Sequence, residues 1–172
     1  LVMFLACVLN IMPVLGQSDS KNDKVVADSK TAKAEFLKKD ALMKGLFESA
    51  YGYVIFPNVG KGGIGVGGAA GNGVVYEKDV MVGMAKLSQV SIGLQAGGQA
   101  YREIIFFESK KELDRFKNSQ FEFSAQASAV AAKAGASANA KYTNGVMVFT
   151  MQKGGLMYEA SIGGQKFKFN KM

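Results

Sequence analysis

The feature that most constrains this chain is the regular interruption of short apolar runs by glycine from residue 51 onward. The sequence contains 21 glycines, and between them lie runs rich in Val, Ile, Phe and Tyr. Runs of this length and composition, bounded by Gly, Pro and Asn, are typical of β-strands. The sequence therefore predicts an α+β fold that is β-dominated, with a Gly-rich antiparallel sheet that is barrel-like or sandwich-like.

The expected strands cover residues 51–56, 63–70, 74–78, 81–87, 90–99, 104–108, 146–152, 156–162 and 166–169. Pro57-Asn58 is expected to stop the first strand. Asn72-Gly73 is expected to form a type I′ hairpin turn, because both residues tolerate positive φ. Residues 121–138 are rich in Ala and Ser, so helix and strand both stay open there, although alternation from Phe121 favours strand.

Two N-terminal amphipathic helices are expected within residues 30–50. A single helix would place Asp40 close to the apolar stripe, so we expect Asp40 to cap a second helix. The buried face of that helix is then Leu42, Met43, Leu46 and Phe47. Such a basic helix either packs on its own sheet or docks on a membrane. A capping box from Ser109 to Glu112 predicts one short internal helix with Leu113 and Phe116 facing inward.

The first 16 residues carry no charge and are too short to span a bilayer as a helix. They resemble a signal peptide without its basic n-region, cleaved before Gln17. A buried strand or core helix is the alternative, and lipidation at Cys7 ranks behind cleavage. We therefore expect a signal peptide at 1–16, a polar lead-in at 17–29 and one domain at 30–172, in an exported protein of the periplasm or outer membrane.

The chain contains no histidine, which removes the usual general base at neutral pH and the commonest metal ligand. Ser–His–Asp and Cys–His nucleophile systems and His-based zinc sites are thereby excluded. Two carboxylate pairs, Glu77 with Asp79 and Glu108 with Glu112, have the sequence contexts of solvated charges. We expect no enzymatic activity, no bound metal and no cofactor.

Residues 63–68 match the pattern G-x-G-x-x-G, which binds phosphate only where a strand leads in and a helix follows. A further strand follows here, so no helix N-terminus is available to a nucleotide. Gly60-Lys61 also lacks the Ser or Thr of a P-loop. The aromatic residues lie mostly at alternating core positions, so we expect neither nucleotide nor nucleic acid as a partner.

The net charge is +7, and residues 101–172 supply +5 of it through eleven basic residues against six acidic ones. A basic surface suits an anionic membrane. Solubility alone is the other explanation of this charge.

Glycine and aromatic elements in a characteristic order resemble the SYLF domain from about residue 33 to residue 169. The matching elements are Gly52-Tyr-Val-Ile-Phe-Pro57, Lys61-Gly62-Gly63, Gly67-Gly68, Gly71-x-Gly73, Ser91-Ile-Gly93, Gly97-Gly-Gln99, Phe106-Phe107, Lys153-Gly154-Gly155-Leu156 and Gly163-Gly-Gln165. Residues 81–84 replace a segment that carries Trp in eukaryotic members, and no Trp occurs elsewhere, which is similar to the bacterial branch.

The resemblance implies a module without catalytic activity that binds lipid. Eukaryotic members bind phosphoinositides and some yeast members bind actin, whereas bacterial members are typically exported. For this chain the resemblance favours anionic phospholipid at an envelope membrane, and an envelope protein held at a sheet edge is the alternative. By analogy, the candidate contacts are Lys33, Lys38, Lys39 and Lys44 on the helices, with Lys61 at a turn over residues 57–63.

Overall fold

The computed structural model describes residues 16–64, 66–92, 98–154 and 160–172. The expected signal peptide, including Cys7, lies outside these ranges except for Gly16. Residues 93–97 of one expected strand and 156–159 of another also lie outside them.

A long helix, α1 (Gly16–Lys39), precedes the sheet. The polar residues 17–29 are therefore helical, and the prediction of a loose lead-in was wrong. The reason is tertiary: Phe36 is fully buried, and Asp28 accepts a hydrogen bond of 3.0 Å from the Asn58 side chain. Once its C-terminal half is packed, a helix extends with little further cost.

Two short helices follow, α2 (Met43–Ser49) and α3 (Lys110–Lys117). The break between α1 and α2 confirms two helices in place of one. At the start of α3, the Ser109 hydroxyl accepts a hydrogen bond of 3.2 Å from the Lys111 amide and bonds to the Glu112 carboxylate. Leu113 and Phe116 are fully buried, so the predicted short helix with Ser109 as its N-cap is confirmed, although Glu112 bonds to the Ser109 hydroxyl and not to its amide.

The strands of the described chain are β1 (Gly52–Ile64), β2 (Val66–Glu77), β3 (Val80–Ile92), β4 (Gly98–Phe107), β5 (Ser128–Ala131), β6 (Val146–Gln152), β7 (Ala160–Ser161) and β8 (Lys166–Lys171). Their order in the sheet is β7-β5-β6-β4-β1-β2-β3-β8. The β-dominated α+β prediction is confirmed. Neighbouring strands are antiparallel except β5 and β6, which are parallel.

The sheet is curled, so that β3 approaches the segment after β7. The Gln89 side chain on β3 donates a hydrogen bond of 2.8 Å to the carbonyl of Gly163. In the described residues the strand pairing itself does not continue around into a ring. The concave side of this sheet encloses one core, to which α3 contributes Leu113 and Phe116, and its convex side carries α1 and α2.

Both expected turns near the first hairpin lie inside strands, so these two predictions were wrong. β1 continues through Pro57 and Asn58 by means of a register shift, as a β-bulge allows. On β2, a Cβ added to Gly73 would lie 2.6 Å from the Phe56 ring and 2.7 Å from the Ile55 carbonyl oxygen. Gly73 therefore permits a close approach of two strands and does not form a turn.

The tight turn between β2 and β3 consists of Lys78 and Asp79, whose φ angles are 49° and 64°. Positive φ at both central residues is the geometry of a type I′ turn, although Asn-Gly is the more common sequence. This turn directs the Asp79 side chain towards α1, where it contacts Lys33 at 2.9 Å.

Two apolar clusters pack on the two sides of the sheet. The inner cluster fills the concave side and includes Phe56, Phe107, Phe116, Phe121 and Phe167. The outer cluster lies between the sheet and the N-terminal helices and includes Phe36, Met43, Phe47, Tyr53 and Phe106. Both β faces are therefore buried around Tyr53 to Phe56, which explains the continuous apolar run at these positions.

Most of residues 121–138 is neither helix nor strand. Phe121 and Phe123 are buried in the inner cluster, whereas Ala125 is exposed. Regular pairing is limited to β5 and is followed by a short 3₁₀ turn at Ala136–Asn139. The strand expected from Phe121 was wrong over most of its length, because small alanine side chains bury too little surface to extend the alternation.

A carboxyl group is buried within the inner cluster. Glu103 on β4 is fully buried, and its Oε2 accepts a hydrogen bond of 3.0 Å from the Gln165 side chain. Within the described residues, its Oε1 has no hydrogen-bond partner and neither oxygen has a basic side chain within 4 Å. Burial raises the pKa of Glu103 to about 8. The side chain is therefore mainly uncharged at pH 7.

Candidate functional site

The connection between α1 and α2 forms an exposed basic corner, by which we mean Lys38, Lys39, Leu42 and Lys44. All three lysines are exposed, and Leu42 has 59% of its surface in contact with solvent. Leu42 was expected on the buried face of α2, and that prediction was wrong. Met43 and Phe47 take the buried positions, because the break in the chain rotates Leu42 away from the sheet.

Asp40 holds the geometry of the basic corner. Its Oδ1 accepts a hydrogen bond of 3.2 Å from the Leu42 amide, and its Oδ2 accepts bonds of 2.8 and 2.7 Å from the amide and hydroxyl of Ser137. Burial opposes ionisation of Asp40, but the bonds from Ser137 and Leu42 outweigh it and hold its pKa below the usual value. Asp40 thus caps the turn before α2, whose own N-cap position is Leu42.

Lys33 has partners within the protein. Its ammonium donates a hydrogen bond of 2.8 Å to the Tyr53 hydroxyl, pairs with Asp79 at 2.9 Å and lies 4.6 Å from the centre of the Phe47 ring. Tyr53 also donates to Asp79. The bonds from Lys33 and then Tyr53 hold the pKa of Asp79 below its usual value. The charge of Lys33 is therefore neutralised within the fold.

A cavity of about 520 Å³ lies beside the basic corner. Its lining residues are Lys33, Leu37, Lys44, Phe47, Glu48, Ala50, Lys78 and Asp79. The cavity brings Lys78, from the β2–β3 turn, to the same surface as Lys44. An ion pair balances part of this charge, since the Glu48 carboxylate lies 3.7 Å from the Lys44 ammonium.

Lys61 does not belong to this surface. It lies inside β1, half-buried, with Ala69 of β2 and Gln99 of β4 as its neighbours across the sheet. The turn on which Lys61 was expected is therefore absent from residues 57–63, because β1 continues through them. Of the expected contacts, the structure places Lys38, Lys39 and Lys44 on one exposed segment and separates Lys61 from them.

Sequence reasoning missed two residues of the site. Lys78 was not considered as a contact, because the expected strand 74–78 ended on it and Lys-Asp is not a common sequence for a two-residue turn. Leu42 was assigned to the core because it is apolar and close to Met43 in sequence. The structure shows that Leu42 is exposed together with Ala41 and Lys44, and nothing in the local sequence indicates this.

The glycine pattern at residues 63–68 lies on the strands of the β1–β2 hairpin, with Gly65 outside the described residues. The expected following strand is present, so no helix follows these glycines directly along the described chain. Across the described ranges, no three Asp, Glu, Cys or His side chains gather where they could hold a metal ion. No helix of this part of the chain is both long enough and apolar enough to cross a membrane.

Comparison with known proteins assigns the family independently of the fold. Residues 88–171 match the Ysc84 family, which is described as a Las17-binding protein actin regulator. Beta cell expansion factor A from Aeromonas veronii is 30% identical over 142 residues, which cover 82% of this chain and 54% of that protein. The chain belongs to the SYLF family. This SYLF chain spans about half the length of the curated relative it matches.

The family match covers the end of β3 and everything from β4 to β8. Helices α1 and α2 lie before it, so the match to the SYLF family model does not itself assign a role to the basic corner. Any role of that corner has to be argued from its own side chains.

Proposed function

We propose that this chain is a non-enzymatic SYLF domain that binds anionic phospholipid at an envelope membrane after export. One observation carries the proposal: an exposed leucine, Leu42, lies on a short segment between exposed lysines. Asp40 fixes the backbone of this segment, so binding does not have to order the main chain there.

The energetics favour weak and reversible binding. Each lysine close to an anionic membrane contributes about 1 kcal/mol. Lys38 and Lys39 therefore contribute about 2 kcal/mol, and Lys44, whose exposed pair with Glu48 at 3.7 Å is weak in water, adds up to about 1 kcal/mol. Burial of Leu42 among the lipid head groups adds about 1–2 kcal/mol. The electrostatic part is screened by salt, since the Debye length falls from about 10 Å at 0.1 M to about 3 Å at 1 M. Lys33 adds little, because Asp79 already neutralises it.

Co-sedimentation with vesicles tests this proposal. Phosphatidylcholine vesicles with and without phosphatidylglycerol are compared for the unmodified chain and for the triple variant Lys38→Gln, Lys39→Gln and Lys44→Gln. The expected result is a loss of affinity for the anionic vesicles of about a hundredfold, from about 3 kcal/mol.

The matched control is a triple variant with the same net charge, in which the exposed residues Lys21, Lys133 and Lys168 become Gln. This control is expected to lose much less affinity. Equal losses in the two triple variants would mean that only net charge matters, and equal binding to neutral and anionic vesicles would contradict the proposal. A separate variant, Leu42→Ser, is expected to weaken the binding that remains at high salt.

Export is part of the proposal and is supported by the charge-free residues 1–16. Fractionation of a bacterium that expresses the chain, followed by mass spectrometry, tests it. A mature protein that starts at Gln17 is expected. A lipid-modified Cys7 would indicate anchoring, and recovery of the uncleaved chain from the cytoplasm would contradict export.

A protein partner is the second candidate function, and the description of the matched family as a Las17-binding protein actin regulator favours it. The sheet order leaves β8 at one edge, where Lys166, Lys168 and Lys171 are exposed. A partner bound along this edge would be retained by the triple variant of the basic corner. Capture of a partner equally by both forms, without vesicle binding by either, would favour this candidate.

A further inference from the structure

A small cavity of about 170 Å³ lies where α1 crosses the bulge of β1. Its lining residues are Lys24, Asp28, Thr31, Pro57, Asn58, Arg102 and Lys153. None of the residues of the basic corner lines it. The cavity therefore forms a second basic site, which shares only the helix α1 with the basic corner.

Two of its three cations are held by carboxylates. Lys24 pairs with Asp28 at 2.7 Å, and Arg102 pairs with Glu35 at 2.7 Å. The Arg102 side chain is only 16% exposed, so its position is well defined by the fold. Asp28 also accepts a hydrogen bond from Asn58, which commits this carboxylate further to partners within the protein.

Lys153 is the third cation, and no carboxylate of the described residues lies within 4 Å of its ammonium. Burial and then the nearby Arg102 lower the pKa of Lys153. Lys153 is itself exposed beside the cavity, and Asp28 and Glu35 offset only part of this effect, so its ammonium has no direct carboxylate partner among the described residues. The three cations therefore exceed the two carboxylates, Asp28 and Glu35, by one charge, and a net positive concavity attracts an anion.

The chemistry of the lining defines the class of ligand. An ammonium and a guanidinium donate charge-assisted hydrogen bonds, which suit the oxygens of a phosphate group. The small volume suits a compact group and not a nucleotide. We propose that this cavity binds a compact oxyanion of the phosphate class, with Lys153 as its main charge partner and Arg102 and Lys24 as further donors. This goes beyond the proposed function, because it involves none of the residues of the basic corner.

Titration of the full chain with inorganic phosphate, followed by amide chemical shifts in NMR spectra, tests the site. Saturable shifts are expected at Asn58, Arg102 and Lys153. The variant Lys153→Gln is expected to weaken binding at least about tenfold, since a hydrogen bond to a charged group is lost. The matched control Lys133→Gln removes an exposed lysine elsewhere and is expected to leave the affinity unchanged. Shifts that do not saturate, or equal affinities in the two variants, would overturn the proposal.

The phosphate group has two sources, a lipid head group and free phosphate. Vesicles of phosphatidylcholine with phosphatidic acid distinguish them. If Lys153→Gln loses both phosphate and vesicle binding relative to Lys133→Gln, the site takes a lipid head group. If it loses only phosphate binding, the site takes the free ion. Neither result depends on the triple variant of the basic corner, so the two proposals fail independently.

Discussion

Substitution of Glu103 by glutamine should change how the stability of this protein depends on pH. The Glu103 carboxyl is fully buried, without a basic partner among the described residues, and burial raises its pKa from 4.5 to about 8. The folded protein therefore keeps a proton that the unfolded chain releases above pH 4.5. Stability from this group is fully present below pH 4.5 and is lost as the pH rises towards 8.

The size of the effect follows from the shift. Between pH 4.5 and pH 8 the free energy of unfolding should fall by about 1.4 kcal/mol per pH unit, or about 5 kcal/mol in total, on account of this residue alone. A glutamine has nearly the same shape, and its carbonyl oxygen can accept the hydrogen bond from Gln165. The variant Glu103→Gln should lose this part of the pH dependence.

Urea unfolding at pH 5, 6, 7 and 8 measures the difference. At pH 5 the two proteins should have similar stability, and by pH 7.5 the variant should be more stable by several kcal/mol. The control Glu108→Gln, at an exposed position in the connection between β4 and α3, should follow the unmodified protein. Parallel pH profiles for the unmodified protein and Glu103→Gln would refute the reasoning, because they would mean that the carboxyl is ionised or solvated in the folded state.

Three further changes test one contact of the basic corner and two features of the fold. Asp40→Ala should lower the free energy of unfolding at pH 7, measured by urea unfolding, by about 2–4 kcal/mol, because the Ser137 amide loses its buried acceptor. Because folding lowers the pKa of Asp40, the difference between the variant and the unmodified protein should shrink below pH 3.8. Gly73→Ala should cost about 1–3 kcal/mol by contact with Phe56, whereas Gly60→Ala, with open space around its Cβ, should not show this loss. Ser109→Ala should cost about 1 kcal/mol in thermal unfolding through loss of the N-cap of α3.

Several elements were predictable because their signals are local. Glycine spacing and alternation predicted a β-dominated sheet, and the capping box at Ser109 predicted α3. The strand Val146–Gln152 was predicted with its observed bounds. The capping contacts of α3 join neighbouring residues, so its sequence contains the deciding interactions. Val146–Gln152 bonds to the distant strand β4, but its short apolar run, followed by Lys153-Gly154, is itself a local strand signal.

The wrong assignments have a common physical cause. Pro57 and Gly73 carry strong turn signals, but both strands continue because a bulge in one strand faces a glycine in the other. Residues 17–29 lack a strong apolar face, and they are helical as part of α1, which packs on the sheet. In each case a contact between residues distant in sequence outweighs the local preference.

For the candidate site, too, some properties follow from the sequence and others only from the fold. Sequence alone determined that the chain is basic, rich in glycine, without histidine, and that lysines cluster around Asp40. Only the tertiary structure decided that Asp79 neutralises Lys33, that β1 carries Lys61 away from the helices and that Leu42 faces solvent. Charge and composition are properties of the residues themselves. Whether a charge is free, paired or buried depends on what the fold places within a few ångströms of it, and Asp79 is 46 residues from Lys33.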